Sequence, residues 1–168
     1  MNVREPLTEK ENTQLAELLR RAQWPLHPQV FGALMKVSVS VPIELAVLDR
    51  KNRVLMIRRN DSEYAGWHMP GTVLRGDEGV PAAIRRLLDE EAKAEVTPPV
   101  YVDWTEIPKG TGPRQDPNRH QISLVYVCWL LKPYRSRQSQ FFPLLSLPEK
   151  TLPHHRVLAE KVITHLSK

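Results

Sequence analysis

Two apolar runs, Val37 to Leu48 and Arg53 to Arg58, stand on either side of Asp49-Arg50-Lys51-Asn52, a tetrapeptide with no core-forming side chain. Val, Ile and Leu recur in both, and runs of that kind bounded by turn residues read as strands. The pattern predicts a hairpin, which by itself is at best marginally stable in water. Further strands and covering helices must therefore follow. Gly79 to Glu95 has helical character and stops before Pro98-Pro99. Val100 to Ile107 and Gln121 to Leu131 are the next strands, and His154 to Leu166 is a closing helix with Val157, Leu158, Val162 and Leu166 inward. Strands in hairpins with helices at the middle and the end specify an α/β class, a mixed sheet held between helices.

The remaining segments are less regular. Thr8-Glu9-Lys10-Glu11 has the capping-box spacing, and Leu15, Leu18, Leu19 and Ala22 form a stripe at helical period. Trp24-Pro25 and His27-Pro28 stop that helix, since the residue before a proline is steered from helical geometry. This gives an N-terminal helical extension over 1–36, read as a docked arm or a dimerisation arm, and a main domain over 37–168. Asn60 to Gly76 holds no period, Arg135 to Gln140 is a polar loop, and Pro108 to His120 is a long connection. Connections of that length in a small domain are usually functional or mobile.

At 168 residues the chain suits one domain, given roughly 150 residues as a norm. A charged share of 26% and a hydrophobic share of 41% are ordinary for a globular protein and exclude fibrous or disordered classes. Net charge is +5, which suits a phosphate-bearing partner, while no motif supports nucleic-acid binding. A single Cys128 forms no internal disulfide. No apolar run approaches the ~20 residues of a membrane span. Met1-Asn2-Val3-Arg4-Glu5 leads into charge rather than an apolar signal core, so a cytoplasmic location is expected.

Chemistry concentrates between Pro70 and Glu91. On a helix Arg86 and Glu90 are i, i+4 and can pair. Ile84, Leu87, Leu88 and Glu91 fall at i, i+3, i+4 and i+7, which places Glu91 on the apolar side. A carboxylate there needs a partner or a metal. Glu78 opens the same helix, where the dipole favours an acid. Glu78, Glu90, Glu91 and the Gly71 backbone together make a hard-cation site, suited to magnesium taken with substrate phosphates.

These residues resemble the Nudix hydrolases, whose box reads G-x5-E-x7-R-E-U-x-E-E-x-G-U with U a large aliphatic residue. Glu78, Arg86, Leu88, Glu90 and Glu91 fall at the box positions, and Gly66-Trp67 with Pro70-Gly71 matches the usual lead-in. Arg58-Arg59 closing a hairpin strand, and Phe141 to His155 leading into a last helix, are similar too. The likeness covers roughly Val37 to Leu166 and implies a Nudix-type α/β/α sandwich with a mixed sheet, plus the extra N-terminal helix. Four positions depart from the box: Thr72 at the opening glycine, Leu87 at the Glu after Arg, Lys93 at the second glycine, and Ala94 at the last aliphatic. Arg-Leu at 86–87 resembles the GDP-mannose mannosyl hydrolase branch, which uses a His before a strand as general base. His120 stands at a comparable place.

The resemblance implies hydrolysis of a nucleoside diphosphate linked to another moiety, a nucleotide sugar among them, with Mg2+ or Mn2+ as cofactor. It makes Gly71, Glu78, Glu90 and Glu91 the metal group, and Glu91, His120 and Arg86 the catalytic group, Arg86 orienting the carboxylates. Arg58, Arg59 or Arg114 is expected to meet the phosphate oxygens as a bidentate donor. Asp103, Glu106 and Asp116 are alternatives for one further metal carboxylate. His27, His68, His154, His155 and His165 are read as structural or surface residues, Trp67 and Trp104 as packing residues, and Arg135-Ser136-Arg137 as a solvated loop. The competing reading is a Nudix-fold module that binds a nucleotide or partner with little turnover, for which Leu87, Thr72 and Lys93 speak. A homodimer is compatible with either.

Overall fold

Alternation of side chains along one strand sets the layers of the main unit. In β1 (Pro42–Leu48), Leu45 and Val47 pack with Leu87 and Cys128, while Ala46 and Leu48 pack with Leu158, Ala159 and Val162. The strand is buried over its whole length, so it carries a helix on each face. A computed structural model describes residues 5–61, 63–134 and 136–168. The signal reading at 1–4 and the loop reading at Arg135 lie outside the described residues.

The chain divides into two units, Met1–Leu34 and Met35–Lys168. In the first, α1 (Glu9–Arg21) begins on the expected capping box. The Thr8 N–H donates to Glu11 Oε2 at 2.8 Å and the Glu11 N–H to Thr8 Oγ1 at 3.3 Å. No residue of α1 is buried, so the apolar stripe with Leu15, Leu18 and Leu19 stays exposed. After the expected stop comes a second helix, α2 (Pro28–Val37), where none was expected. Pro28 opens it, because a first-turn proline has no N–H to lose. The strand expected from Val37 therefore starts only at Pro42.

Arg53–Asn60 is β2, joined to β1 by the expected turn, in which Asn52 takes φ 54°. Two short strands occupy the segment without period, β3 (Ala65–His68) and β4 (Gly71–Val73). Val80–Leu87 is α3, and Leu88–Ala92 continues it as a wider π-helical turn. β5 (Val100–Ile107) and β6 (Gln121–Trp129) match their expected positions closely. β7 (Ser139–Pro143) takes over the last two residues of the expected polar loop, held by Phe141 and Phe142 packing into opposite core layers. α4 (Pro153–Leu166) closes the unit.

The seven-stranded sheet runs β3-β2-β1-β6-β5, with β4 also on β1 and β7 also on β2. β1 and β6 are parallel, and the other strand pairs are antiparallel. This is the mixed sheet between helices that the sequence specified. Cys128 is buried in the α3-side core and its thiol is pushed up to about 12 by that burial. Among the described residues no helix is long and apolar enough to cross a membrane.

Candidate active site

Two groups of polar side chains meet the β4 strand. The first is a latch built on Arg86. Its guanidinium gives Nε to Glu78 Oε2 at 3.1 Å, Nη2 to Glu78 Oε1 at 2.5 Å, and Nη1 to the Thr72 hydroxyl at 2.6 Å. Nη2 also meets the Val73 carbonyl at 3.2 Å, and Glu78 accepts from the Arg75 N–H at 3.0 Å. Bidentate charge-assisted pairs of this kind are strong and directional. They tie the loop after β4 to the last turn of α3. Arg86 holds the Glu78 carboxyl below the usual carboxylate range, mainly through the direct hydrogen bond. Thr72, a departure from the box, supplies a hydroxyl acceptor that glycine lacks.

The second group lies behind Gly71. Its N–H donates to Glu91 Oε2 at 3.2 Å, and Gly71 pairs with Glu44 across the β1–β4 ladder. A Cβ at Gly71 would meet the Glu44 carboxylate, so any larger residue there would displace that side chain. Burial pushes Glu91 up to about 7, although the Gly71 N–H favours its charged form. Glu44 is fully enclosed and lies well above the usual range, through burial first and then the charges of Glu91 and Asp116. Among the described residues its Oε2 has no hydrogen-bond partner. Buried carboxylate oxygens without partners are costly.

Histidines from two elements surround this pair. His68 Nε2 is 3.7 Å from Glu91 Oε1, and His155 Nδ1 is 3.9 Å from Glu44 Oε2. Burial lowers His68 to about 4 and His155 well below its ordinary value. His154 packs against His155 with the rings tilted by 45° and their centroids 4.5 Å apart, and lies 3.7 Å from Asp116. Asp116, 1% exposed, accepts from the Tyr64 hydroxyl at 2.9 and 2.8 Å and from the Asn118 N–H at 2.8 Å. Those bonds fasten the long connection between β5 and β6. Arg59 pairs with Asp61 and Glu63 and covers the Tyr64 ring at 4.5 Å, while Arg119 pairs with Glu63.

The structure thus brings together Gly71 with Glu91, and Arg86 with Glu78. Glu90 lies on the exposed side of the π turn, 3.9 Å from Arg86. Of the expected trio, Glu78 lies in the turn before α3 rather than on the helix, and Glu90 and Glu91 lie in the π turn after it. Among the described residues no three His, Cys, Asp or Glu side chains gather on one metal-sized point. His120 contacts Glu106 at 2.8 Å, and Arg114 contacts Glu160 of α4 at 2.7 Å. Arg58 is exposed on β2 opposite Trp67. Of the three alternative acids, Asp103 is taken by Lys161 and Glu106 by His120, which leaves Asp116 as the one felt by Glu44.

Glu44, His68, His154 and His155 were missed as site residues. Glu44 carries a readable signal, a lone acid in Pro42-Ile43-Glu44-Leu45-Ala46-Val47-Leu48. For the histidines the only hint is adjacency to Pro70-Gly71 or to the start of α4, which does not reveal contact. Leu87, at the box position of a Glu, is 1% exposed in the core beside Leu45, Val47 and Leu55.

Residues 41–161 match the NUDIX domain family, and the chain belongs to it, a family of hydrolases acting on nucleoside diphosphate derivatives. The fold is similar to a MutT NUDIX hydrolase from Burkholderia pseudomallei, at 22% identity and TM-score 0.59, covering 74% of this chain and 98% of that one. It is likewise similar to the NUDIX domain of Shewanella oneidensis NrtR complexed with ADP ribose, at 17% identity and TM-score 0.59, over 95% of this chain and 99% of that one. A MutT protein from Methanosarcina mazei shares 14% identity at TM-score 0.60, over 77% and 96%. No curated protein matches the chain at a significant level.

Proposed function

We propose that the protein hydrolyses a nucleoside diphosphate linked to a second moiety, a nucleotide sugar or ADP-ribose type of molecule, with bound magnesium. The observation that carries this reading is the pair of carboxylates at Gly71, the partly buried Glu91 held by its N–H and the enclosed Glu44 against its missing Cβ, with no hydrogen-bond partner for Glu44 Oε2 among the described residues. Magnesium needs only one or two carboxylates, because waters and substrate phosphates complete its shell. The donor set therefore fits without a closed cage. Glu91, Glu44, the Gly71 carbonyl and the exposed Glu90 would hold the ion. Once bound, it offsets charge on the diphosphate and orients the attacking water.

The chain's own groups do the rest. Glu78 and Thr72 fix Arg86, which keeps the carboxylate end of α3 in place. Arg59, close enough to Glu91 to lower its pKa, is the phosphate donor of this reading. His120 is the candidate base, its ring oriented by Glu106.

The test is a magnesium-dependent hydrolysis screen over nucleotide sugars, ADP-ribose, dinucleotides and nucleoside triphosphates. Glu91→Gln keeps the shape and should reduce turnover to background with the fold intact; near-wild-type turnover would sink the assignment. His120→Gln with an unchanged rate and pH profile would remove His120 as the base. The burial of Leu87 where a carboxylate is expected favours a second reading, a nucleotide-binding module with little turnover. Tight ADP-ribose binding without hydrolysis of any substrate would select it.

A further inference from the structure

Between β3 and β4 the backbone changes sheet partner, from Ile57 opposite His68 to Glu44 opposite Gly71. Met69 lies in the change-over and is 1% exposed. Backbone groups buried there must find partners within the protein. Two imidazoles supply them. The Met69 N–H donates to His155 Nδ1 at 3.2 Å, and His68 Nδ1 is 2.8 Å from the Met69 carbonyl oxygen.

The ring protonation follows from these contacts. An N–H donor requires a bare ring nitrogen, and a carbonyl requires a protonated one. His155 is therefore protonated at Nε2 and His68 at Nδ1. The bare atoms, His155 Nδ1 and His68 Nε2, are the ones nearest Glu44 and Glu91. Neither of these atoms donates to a carboxylate, and the two rings serve the backbone through His155 Nδ1 and His68 Nδ1. Two residues beyond Met69, the Gly71 N–H holds Glu91. The two rings also touch edge to face, with centroids 5.5 Å apart.

We propose that His155 and His68 are positioning residues that clamp the Met69 backbone at its N–H and at its carbonyl and so set the Gly71 N–H that holds Glu91. The functional half of this proposal rests on Glu91 acting as a metal-binding carboxylate in the proposed hydrolysis. Through His155, the first turn of α4 becomes part of the site although it offers no group to the substrate.

Three variants test the clamp. His155→Asn keeps an acceptor near the Nδ1 position, His155→Gln carries its oxygen out toward the Nε2 position, and His155→Leu has none. Amide hydrogen exchange at Met69 and Gly71 is followed by NMR alongside kcat and KM, with ADP-ribose and magnesium as the first probe. Exchange at Met69 should quicken about tenfold or more in the Leu and Gln variants and stay near wild type in the Asn variant. In the Leu and Gln variants kcat should fall up to about a hundredfold, KM moving little, with recovery in the Asn variant.

An Asn variant as labile and slow as the Gln variant would overturn the clamp, as would a Leu variant with full protection and full kcat. Should the Leu variant not fold, the Asn and Gln pair decides. A wild-type protein that turns over no substrate defeats the proposed function alone. The exchange measurement then stands by itself, and equal protection of Met69 and Gly71 in the Asn and Gln variants overturns the clamp.

Discussion

The two sides of β4 treat their carboxylates in opposite ways. At Glu78 both oxygens meet donors, from Arg86 and the Arg75 N–H, and the acid is held charged. At Glu44 one oxygen meets none among the described residues, and burial with neighbouring negative charge disfavours ionisation. The box-spaced acid is thus committed to structure, while the acid outside the box is left open. A satisfied carboxylate fixes a loop; an unsatisfied enclosed one is stable only when a cation or a proton accompanies it.

Arg86→Ala breaks the satisfied side. It leaves Glu78 enclosed without its partner and should cost about 3 kcal/mol, seen as a lower midpoint in urea. The same variant tests the acid side of the pH profile. A Glu held below its ordinary 4.5 contributes stability that is present above that value and lost as pH falls through the folded pKa. Wild type should therefore lose stability in acid below about pH 4.5 more steeply than Arg86→Ala does. Equal slopes would mean that the latch adds nothing.

Glu44→Gln addresses the open side. Without magnesium it should change stability by less than about 1 kcal/mol, since no hydrogen bond to the carboxylate Oε2 is lost. With magnesium the wild type should gain thermal stability by mass action and the variant should not. A variant that retains the full magnesium-induced rise in Tm would remove Glu44 from the metal site.

Lys93→Gly gives the smallest effect and sharpens the reading of the box. Lys93 caps the π turn at φ 49°, ψ 43°, the left-handed region, and its N–H meets the Leu88 carbonyl at 2.6 Å. Glycine adopts that conformation without the Cβ clash, so the change should stabilise by roughly 0.5–1 kcal/mol after the entropy of the unfolded chain is counted. A destabilised variant would show that the lysine side chain contributes more than the backbone strain removes.

The departures from the box have physical explanations in the fold. Thr72 replaces a glycine and becomes an acceptor for Arg86, while the glycine at the close approach is Gly71. Lys93 keeps the left-handed backbone that a glycine would favour. Leu87 faces the core with Leu45 and Val47, as its place in the apolar period of α3 dictates. Each of these was visible as a sequence difference, yet its consequence depends on what packs against it.

The sequence by itself determined the β1–β2 hairpin, β5, β6, the capped first helix, and the positions of α3 and α4. Those follow from local rules: period, turn residues, capping and proline. It also specified the spacing of Glu78, Arg86, Glu90 and Glu91. Tertiary structure decided β3, β4 and β7, whose few residues acquire strand geometry only by pairing with β1 and β2. It also decided which acids meet. Glu44, Asp116 and His155 are far apart along the chain, and their meeting depends on β1, the β5–β6 connection and α4 closing on one core. Local periodicity carries no information about such contacts, because they form only when the sheet register and the docking of α4 are both complete.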